Sequence, residues 1–210
     1  MSPAVAADPR LGRLHVLVDS LVVAEAALEA GAPTLQVRLK SGTDADRYRL
    51  ARAIAERCRA AGASCLINDR PDLAVAVDAD GVHVGADDLP VPAVRRVVGP
   101  DALVGGTARD PETGRRLVAE GASYLGVGPT FPSGTKEFGE FPGLAFVRAA
   151  AAETSLPAFA IGGVSVKNVP EVLAAGGRRV AVSGAICRAE DPAAAAAALR
   201  RILDVQPGPG

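Results

Sequence analysis

The fold is decided by residues 66–74, Leu66-Ile67-Asn68-Asp69-Arg70-Pro71-Asp72-Leu73-Ala74, and by residues 79–88, Ala79-Asp80-Gly81-Val82-His83-Val84-Gly85-Ala86-Asp87-Asp88. Their pattern predicts a strand, a short helix and a second strand, with polar residues after each strand. Because the carboxyl ends of parallel strands open on one face, we expect the Asn68-Asp69 pair to lie beside the Asp87-Asp88 pair. Two carboxylates in one cleft favour Mg²⁺ and a phosphorylated ligand.

The same alternation of strand and helix continues along most of the 210-residue chain. Eight apolar segments are predicted strands: Leu14–Val18, Thr34–Arg38, Ser64–Ile67, Gly81–Val84, Ala102–Gly105, Tyr124–Val127, Ala158–Ile161 and Arg179–Val182. They are continuously apolar, which is typical of parallel strands that are buried on both faces. Eight strand–helix units at a spacing of about 25 residues favour an α/β fold of the (β/α)8 TIM-barrel type over a doubly wound sheet.

The predicted barrel is a single domain that covers residues 14–204. We expect residues 1–13 and 205–210 to be flexible, since chain ends that are not tied to the domain are often frayed. Near the carboxyl end of the domain, Ser165 is predicted to cap a helix that ends at Ala175.

The composition argues against several classes of protein. The chain has 23 basic and 24 acidic residues and no tryptophan, so we expect no nucleic-acid surface. No apolar run is long enough to span a bilayer, and residues 1–13 lack the pattern of a signal peptide. Cys58, Cys65 and Cys187 fit neither a disulfide framework nor a zinc site. We therefore expect a cytoplasmic protein without a membrane partner, and the sequence is compatible with a homo-oligomer.

The second strand ends in a cationic set. Gln36, Arg38 and Lys40 stand at alternate positions and so share one face while the chain stays extended. Two cations on one face can hold a polyphosphate, Arg38 by its planar fork and Lys40 as a point charge. The alternative is a solvated strand end whose charges form salt bridges.

The polar residues after strands three, four and five have two interpretations each. Asp69 and Asp88 are either ligands of a metal ion or residues that form turns and cap helices. Thr107 either donates a hydrogen bond to a phosphate or caps the turn after strand five. His83 stands between two valines within strand four, and we interpret it as structural.

Three loops predict anion binding. The long loop after strand six contains Ser133-Gly134-Thr135-Lys136, and loops of such length are often functional. Strands seven and eight lead into Gly162-Gly163 and Ser183-Gly184. The loops after these two strands of a barrel often bind phosphate through backbone N–H groups, and glycine permits the close approach.

These segments together resemble the thiamine phosphate synthase family. The matching segments, in chain order, are Gln36-Val37-Arg38-Leu39-Lys40, Ile67-Asn68-Asp69, Ala79-Asp80-Gly81-Val82-His83-Val84-Gly85 with Asp88, Gly128-Pro129-Thr130-Phe131-Pro132 through Thr135-Lys136, Ile161-Gly162-Gly163, and Val182-Ser183-Gly184-Ala185-Ile186. The resemblance implies a TIM-barrel enzyme of thiamine biosynthesis. Such an enzyme joins 4-amino-5-hydroxymethyl-2-methylpyrimidine diphosphate to a thiazole phosphate and releases pyrophosphate and thiamine phosphate.

The resemblance also implies roles for individual residues. The pyrimidine diphosphate would be held by Gln36, Arg38, Lys40, Asn68, Thr107 and Lys136. The thiazole phosphate would be held by Ser133, Gly134, Thr135, Gly163, Ser183 and Gly184. Asp69 and Asp88 would bind Mg²⁺. Arg38, Lys40 and Lys136 would act in catalysis, because they can neutralise the charge that develops on the leaving diphosphate.

Two alternatives stay open. TenI-like thiazole tautomerases have the same barrel and phosphate loops, but typically lack the Asn-Asp pair and the lysine and can use a histidine in the strand-six loop. This chain has the Asn68-Asp69 pair, Asp88 and Lys136 and no histidine in that loop, which favours the synthase. The second alternative is a non-catalytic barrel that binds thiamine phosphates for regulation, and Leu39 and Arg109 are its support because they depart from the family's usual residues.

Overall fold

Eight parallel strands close into one barrel in the computed structural model, which describes residues 8–132 and 142–205. The strands are β1 (Leu14–Val18), β2 (Thr34–Val37), β3 (Ser64–Asn68), β4 (Gly81–Val84), β5 (Leu103–Ala108), β6 (Tyr124–Val127), β7 (Ala158–Ile161) and β8 (Arg179–Val182). Strands that are consecutive in the chain are neighbours in the barrel, and β8 pairs with β1 to close it. The predicted (β/α)8 TIM barrel is therefore confirmed.

A helix follows each strand. The helices of the described ranges are α1 (Leu21–Glu29), α2 (Asp44–Ala61), α3 (Pro71–Ala76), α4 (Val91–Val98), α5 (Pro111–Ala119), α6 (Gly143–Glu153), α7 (Val169–Ala174), α8 (Gly184–Cys187) and α9 (Pro192–Asp204). The α2 helix begins at a capping box between Thr43 and Asp46 and ends at Gly62, which adopts the left-handed conformation. None of these helices is both long and apolar enough to cross a membrane.

The fifth strand is longer than predicted. β5 continues to Ala108 instead of ending at Gly105, because Thr107 and Ala108 still pair with Gly126 and Val127 of β6. Thr107 is therefore part of the barrel wall and does not belong to a turn.

Two helices near the carboxyl end also differ from the prediction. The prediction that Ser165 caps α7 is wrong, because α7 begins at Val169 and the Ser165 backbone N–H donates to Asn168 Oδ1 at 2.8 Å in a preceding turn. The short helix α8 directly after β8 is not indicated by the sequence pattern. It places a helix start at the rim of the barrel.

Side chains fill the inside of the barrel. Its inner apolar cluster consists of Leu11, Leu17, Leu66, Leu103, Tyr124, Phe159 and Ala181. The ring of His15 packs edge-on against Tyr124 and Phe159, with centroid distances of 5.9 and 5.4 Å. A larger apolar layer lies between the strands and the helices. Because the interior is packed, we expect the ligand site at the carboxyl ends of the strands, where the sites of TIM barrels lie.

The described part of the segment before β1 contacts the barrel. Leu11 is 4 % exposed, and the carbonyl oxygen of Arg10 accepts a hydrogen bond from Ser64 Oγ at 2.7 Å. Arg13 Nη1 donates to the carbonyl oxygen of Leu203 at 2.7 Å. The domain limits at residues 14 and 204 stay a prediction.

Gly81 at the start of β4 has no room for a side chain. A Cβ at this position would lie 1.9 Å from the carbonyl oxygen of Leu103, which belongs to the neighbouring strand of the ladder. We expect Gly81→Ala to lower the free energy of unfolding by about 2 kcal/mol or more, since the backbone must shift to accept the methyl group.

Gly114→Ala is the matched control for Gly81→Ala. Gly114 lies within α5, and a Cβ there would meet only ordinary contacts, with Ala108 and Leu125 at 3.9 Å, so this variant should gain up to about 1 kcal/mol from helix propensity. Urea denaturation measures both changes. A Gly81→Ala variant as stable as the unmodified chain would contradict the close approach of β4 and β5.

Candidate active site

A cleft of about 430 Å³ opens at the carboxyl ends of the strands. The predicted residues that line it are Gln36, Arg38, Lys40, Asn68, Asp69, Asp88 and Thr107. They come from β2, β3 and β5 and from the loops after β2, β3 and β4. The structure therefore brings together every residue predicted for the metal and the pyrimidine diphosphate apart from Lys136, which lies outside the described residues.

Asp69 and Asp88 face each other in this cleft. Asp69 follows β3 with a φ of 65°, and its backbone N–H donates to the carbonyl oxygen of His83 at 2.8 Å. Asp88 is held by the backbone N–H of Gly85, which donates to its Oδ2 at 2.7 Å. Left-handed backbone is uncommon for a residue with a Cβ and clusters at functional sites. Local hydrogen bonds thus fix two carboxyl groups side by side.

Partial burial and the neighbouring Asp88 carboxyl raise the pKa of Asp69 to about 6. The charge of Arg38 and the hydrogen bond from Asn68 act in the opposite direction but are weaker. Two carboxylates that repel each other share a proton or are stabilised by a cation. Within residues 8–132 and 142–205 no group of three or more His, Cys, Asp or Glu side chains could hold a metal ion. Further ligands would have to be water or substrate, which is usual for Mg²⁺.

The two cations of the cleft form no salt bridge within residues 8–132 and 142–205, although the charge of Arg38 acts on Asp69. Arg38 and Lys40 follow β2, and their side chains form no hydrogen bond or salt bridge with another residue of the described ranges. Arg70 nearby differs, because it is paired with Asp72 and Asp44 at 2.7 and 2.9 Å. The alternative of a strand end closed by salt bridges is thus not favoured, and both charges are available to an anion.

The floor of the cleft contains an unpaired amide. Gln36 is 1 % exposed, and its Nε2 has no hydrogen-bond partner among the residues that the structure describes. A buried donor without an acceptor costs free energy. A ligand atom that accepts a hydrogen bond would satisfy it, since Gln36 lines the cleft.

His83 also lies in the floor of the cleft. Its Nε2 is 2.9 Å from Thr107 Oγ1, and its Nδ1 is 3.0 Å from the Tyr124 hydroxyl. Burial lowers the pKa of His83 to about 4, so the ring is neutral at pH 7. The burial of His83 agrees with the structural role that we predicted. His83 also contacts Thr107, which is a predicted substrate-binding residue. Local sequence could not indicate this, because the partners are 24 and 41 residues away.

A second cleft of about 700 Å³ lies beside the first, and both are lined by Arg38 and Lys40. It brings together three of the residues predicted for the thiazole phosphate, Gly163, Ser183 and Gly184. Gly163 has a φ of 68°, and a Cβ there would lie 2.7 Å from the carbonyl oxygen of Phe131, so the backbone requires glycine. The other three, Ser133, Gly134 and Thr135, lie outside the described residues.

Arg188 adds a cation to the second cleft that the sequence did not indicate. Its guanidinium lies against Gly184, where a Cβ would be 2.2 Å from Nη2. Arg188 directly follows α8 and stands one helical turn after Gly184. Without a prediction of α8, no signal places it on the rim. A guanidinium at this place suits a phosphate group.

The sequence matches a family model over most of its length. The model described as thiamine monophosphate synthase covers residues 14–186. The thiamine-phosphate synthase of Salinispora arenicola is 48 % identical over 203 residues, which are 92 % of this chain and 98 % of that protein. The thiamine-phosphate synthase of Prochlorococcus marinus is 44 % identical over 88 % of this chain and 52 % of its own length.

Solved structures agree with the sequence match. Thiamine phosphate pyrophosphorylase from Pyrococcus furiosus is 31 % identical with a TM-score of 0.85, and the superposition covers 91 % of this chain and 95 % of that one. A 3-hexulose-6-phosphate synthase, at 23 % identity and a TM-score of 0.64 over 90 % of this chain and 99 % of that one, shares the fold alone. Because the family model matches residues 14–186, which are most of this chain, the chain belongs to the thiamine monophosphate synthase family.

Proposed function

We propose that this chain is a thiamine-phosphate synthase, a transferase that joins 4-amino-5-hydroxymethyl-2-methylpyrimidine diphosphate to a thiazole phosphate. The observation that carries the proposal is the pair of adjacent clefts that share Arg38 and Lys40. One cleft adds two carboxyl groups and an unpaired amide, and the other adds glycine-lined backbone. This arrangement suits two anionic substrates that react with each other, and the names of the similar proteins support it.

Each substrate is assigned to one cleft. The pyrimidine diphosphate binds in the first cleft, at Gln36, Arg38, Lys40, Asn68 and Thr107. The phosphate of the thiazole binds in the second cleft, at Gly163, Ser183 and Gly184. Lys136 would act on the diphosphate, and Ser133, Gly134 and Thr135 on the thiazole phosphate, from the loop that lies outside the described residues.

The reaction requires no protein nucleophile. The bond between the methylene carbon of the pyrimidine and the diphosphate oxygen breaks, and its electron pair leaves with pyrophosphate. The thiazole nitrogen then forms a bond to that carbon, and no proton has to move. Arg38 and Lys40 stabilise the charge on the leaving diphosphate. Holding the two substrates in adjacent clefts replaces the encounter of two anions in solution.

The first cleft fits a magnesium ion. Asp69 and Asp88 offer carboxylate oxygens, and burial together with the neighbouring Asp88 raises the pKa of Asp69, a cost that a divalent cation would relieve. Asn68 donates a hydrogen bond to Asp69 Oδ2 and so orients that carboxylate. When bound, Mg²⁺ would neutralise charge on the leaving diphosphate.

An assay with both substrates and Mg²⁺ tests the proposed function. We expect pyrophosphate release that depends on the pyrimidine diphosphate and on the thiazole phosphate together. Interconversion of thiazole carboxylate tautomers without condensation would contradict the proposal and favour a tautomerase. Binding of thiamine phosphate without any turnover would contradict it as well and favour a regulatory protein.

The metal assignment is tested by thermal unfolding with Mg²⁺ and pyrophosphate. Ligands that bind only the folded state raise the midpoint of unfolding, and we expect Asp69→Asn and Asp88→Asn each to abolish that rise. Asp101→Asn is the matched control, because this exposed aspartate lies before β5, away from the cleft. The rise should be larger above pH 6 than below, since protons compete with the metal at Asp69.

Without metal the effect of pH has the opposite sign. The pKa of Asp69 in the folded chain, about 6, lies above its ordinary value of 3.8. Between these two pH values the folded state therefore binds more protons than the unfolded state. The unmodified chain should therefore lose stability as the pH rises through this range, and Asp69→Asn should lose less.

A rise in the unfolding midpoint with Mg²⁺ that persists in both aspartate variants would refute the assignment of the metal to Asp69 and Asp88.

A further inference from the structure

Three side chains connect the barrel interior to the first cleft. The Tyr124 hydroxyl lies 3.0 Å from His83 Nδ1, and His83 Nε2 lies 2.9 Å from Thr107 Oγ1. Tyr124 and His83 are buried, whereas Thr107 is partly exposed and lines the cleft. The tyrosine ring fits because residue 105 is glycine, where a Cβ would lie 2.0 Å from the ring. The proposed function assigns no role to Tyr124 or His83.

The hydrogen bonds that link Tyr124, His83 and Thr107 can run in two directions. A neutral imidazole has one N–H donor and one acceptor nitrogen. In the first arrangement, Tyr124 donates to Nδ1, and the Nε2–H of His83 donates to Thr107 Oγ1. In the second, Thr107 donates to Nε2, and the Nδ1–H of His83 donates to the phenol oxygen.

The second arrangement leaves the hydroxyl hydrogen of Tyr124 without an acceptor. Apart from His83, no residue of the described ranges accepts a hydrogen bond from Tyr124, and the nitrogens of the neighbouring His15 are themselves unpaired. A buried donor without an acceptor is penalised, whereas an unused lone pair on a hydroxyl oxygen costs less. The first arrangement is therefore favoured.

We propose that Tyr124 is a positioning residue that fixes the Nε2–H tautomer of His83, and that His83 thereby holds the Thr107 hydroxyl as a hydrogen-bond donor toward the cleft. With Thr107 Oγ1 accepting from Nε2–H, its own hydrogen is free for a ligand. The ligand must present an acceptor there, either a ring nitrogen or a phosphate oxygen. The identity of that ligand as the pyrimidine diphosphate rests on the proposed function, but the tautomer does not.

The arrangement also selects among ligands. A molecule that presents a hydrogen-bond donor opposite Thr107 would meet another donor and leave both unpaired, which a buried polar site discriminates against strongly. The unpaired Nε2 of Gln36 in the same cleft makes the same demand for an acceptor. Two donors in the floor thus favour a heteroaromatic ring or a phosphoryl group.

Nuclear magnetic resonance of the ¹⁵N-histidine-labelled protein tests the tautomer directly. The chain has two histidines, so the spectrum contains two imidazole patterns, and the pattern lost in His83→Gln identifies His83. We expect protonated Nε2 and unprotonated Nδ1 in the unmodified chain. In Tyr124→Phe we expect a mixture of tautomers. Tyr48→Phe is the matched control, because Tyr48 is the other tyrosine and is exposed on α2.

The spectrum decides the first half of the proposal without any turnover. An Nδ1–H tautomer in the unmodified chain would overturn it, whether or not the protein is a synthase. A Tyr124→Phe variant that keeps the same single tautomer would show that Tyr124 does not fix it. Because the first of these measurements needs the unmodified chain and only His83→Gln for assignment, it holds even if Tyr124→Phe fails to fold.

Steady-state kinetics test the second half of the proposal, which is the role of the Thr107 hydroxyl as a donor toward the cleft. We expect Tyr124→Phe to raise the KM for the pyrimidine diphosphate about fivefold, which is the loss of one neutral hydrogen bond, and to leave the KM for the thiazole phosphate unchanged. Thr107→Val removes the hydroxyl through which Tyr124 would act on the ligand. In that background Tyr124→Phe should therefore have no further effect on KM. Equal changes in both KM values, or additive effects of the two substitutions, would overturn the role of Thr107.

Discussion

The close placement of two carboxyl groups, one of them partly buried, is the constraint on which the candidate site depends. Parallel pairing of β3 with β4, in which Asn68 stands opposite His83, brings Asp69 and Asp88 to the same rim. The hydrogen bond from the Asp69 backbone to His83 and the bond from Gly85 to Asp88 keep the two groups close in spite of their charge. Holding this pair together therefore lowers the stability of the fold until a divalent cation or a proton neutralises one of the charges.

The remaining parts of the site follow from closure of the barrel. Since every strand is parallel, the cations after β2 lie next to the acids after β3 and β4. Gly184, which follows β8, lies at the same rim. Arg38 and Lys40 stand between the two clefts and line both. A group that contacts two bound anions can align them as well as neutralise them, which connects the fold to the proposed transfer reaction.

The sequence predicted what is repeated or local. Continuous apolar runs identified the strands, and glycine or acidic pairs at strand ends identified both clefts. The sequence did not predict features that depend on residues far apart in the chain. The extension of β5 to Ala108 is set by pairing with β6, and the helix α8 that carries Arg188 to the rim is too short to have a periodic pattern. His83 was assigned correctly to a buried strand, but its bonds to Tyr124 and Thr107 exist only after the barrel closes.

The most direct test of this account is X-ray diffraction from crystals that contain the pyrimidine diphosphate and Mn²⁺ in place of Mg²⁺. We expect one anomalous peak within coordination distance of an oxygen of Asp69, an oxygen of Asp88 and an oxygen of the diphosphate. A diphosphate bound in the first cleft with the metal peak away from both carboxylates would contradict the central claim.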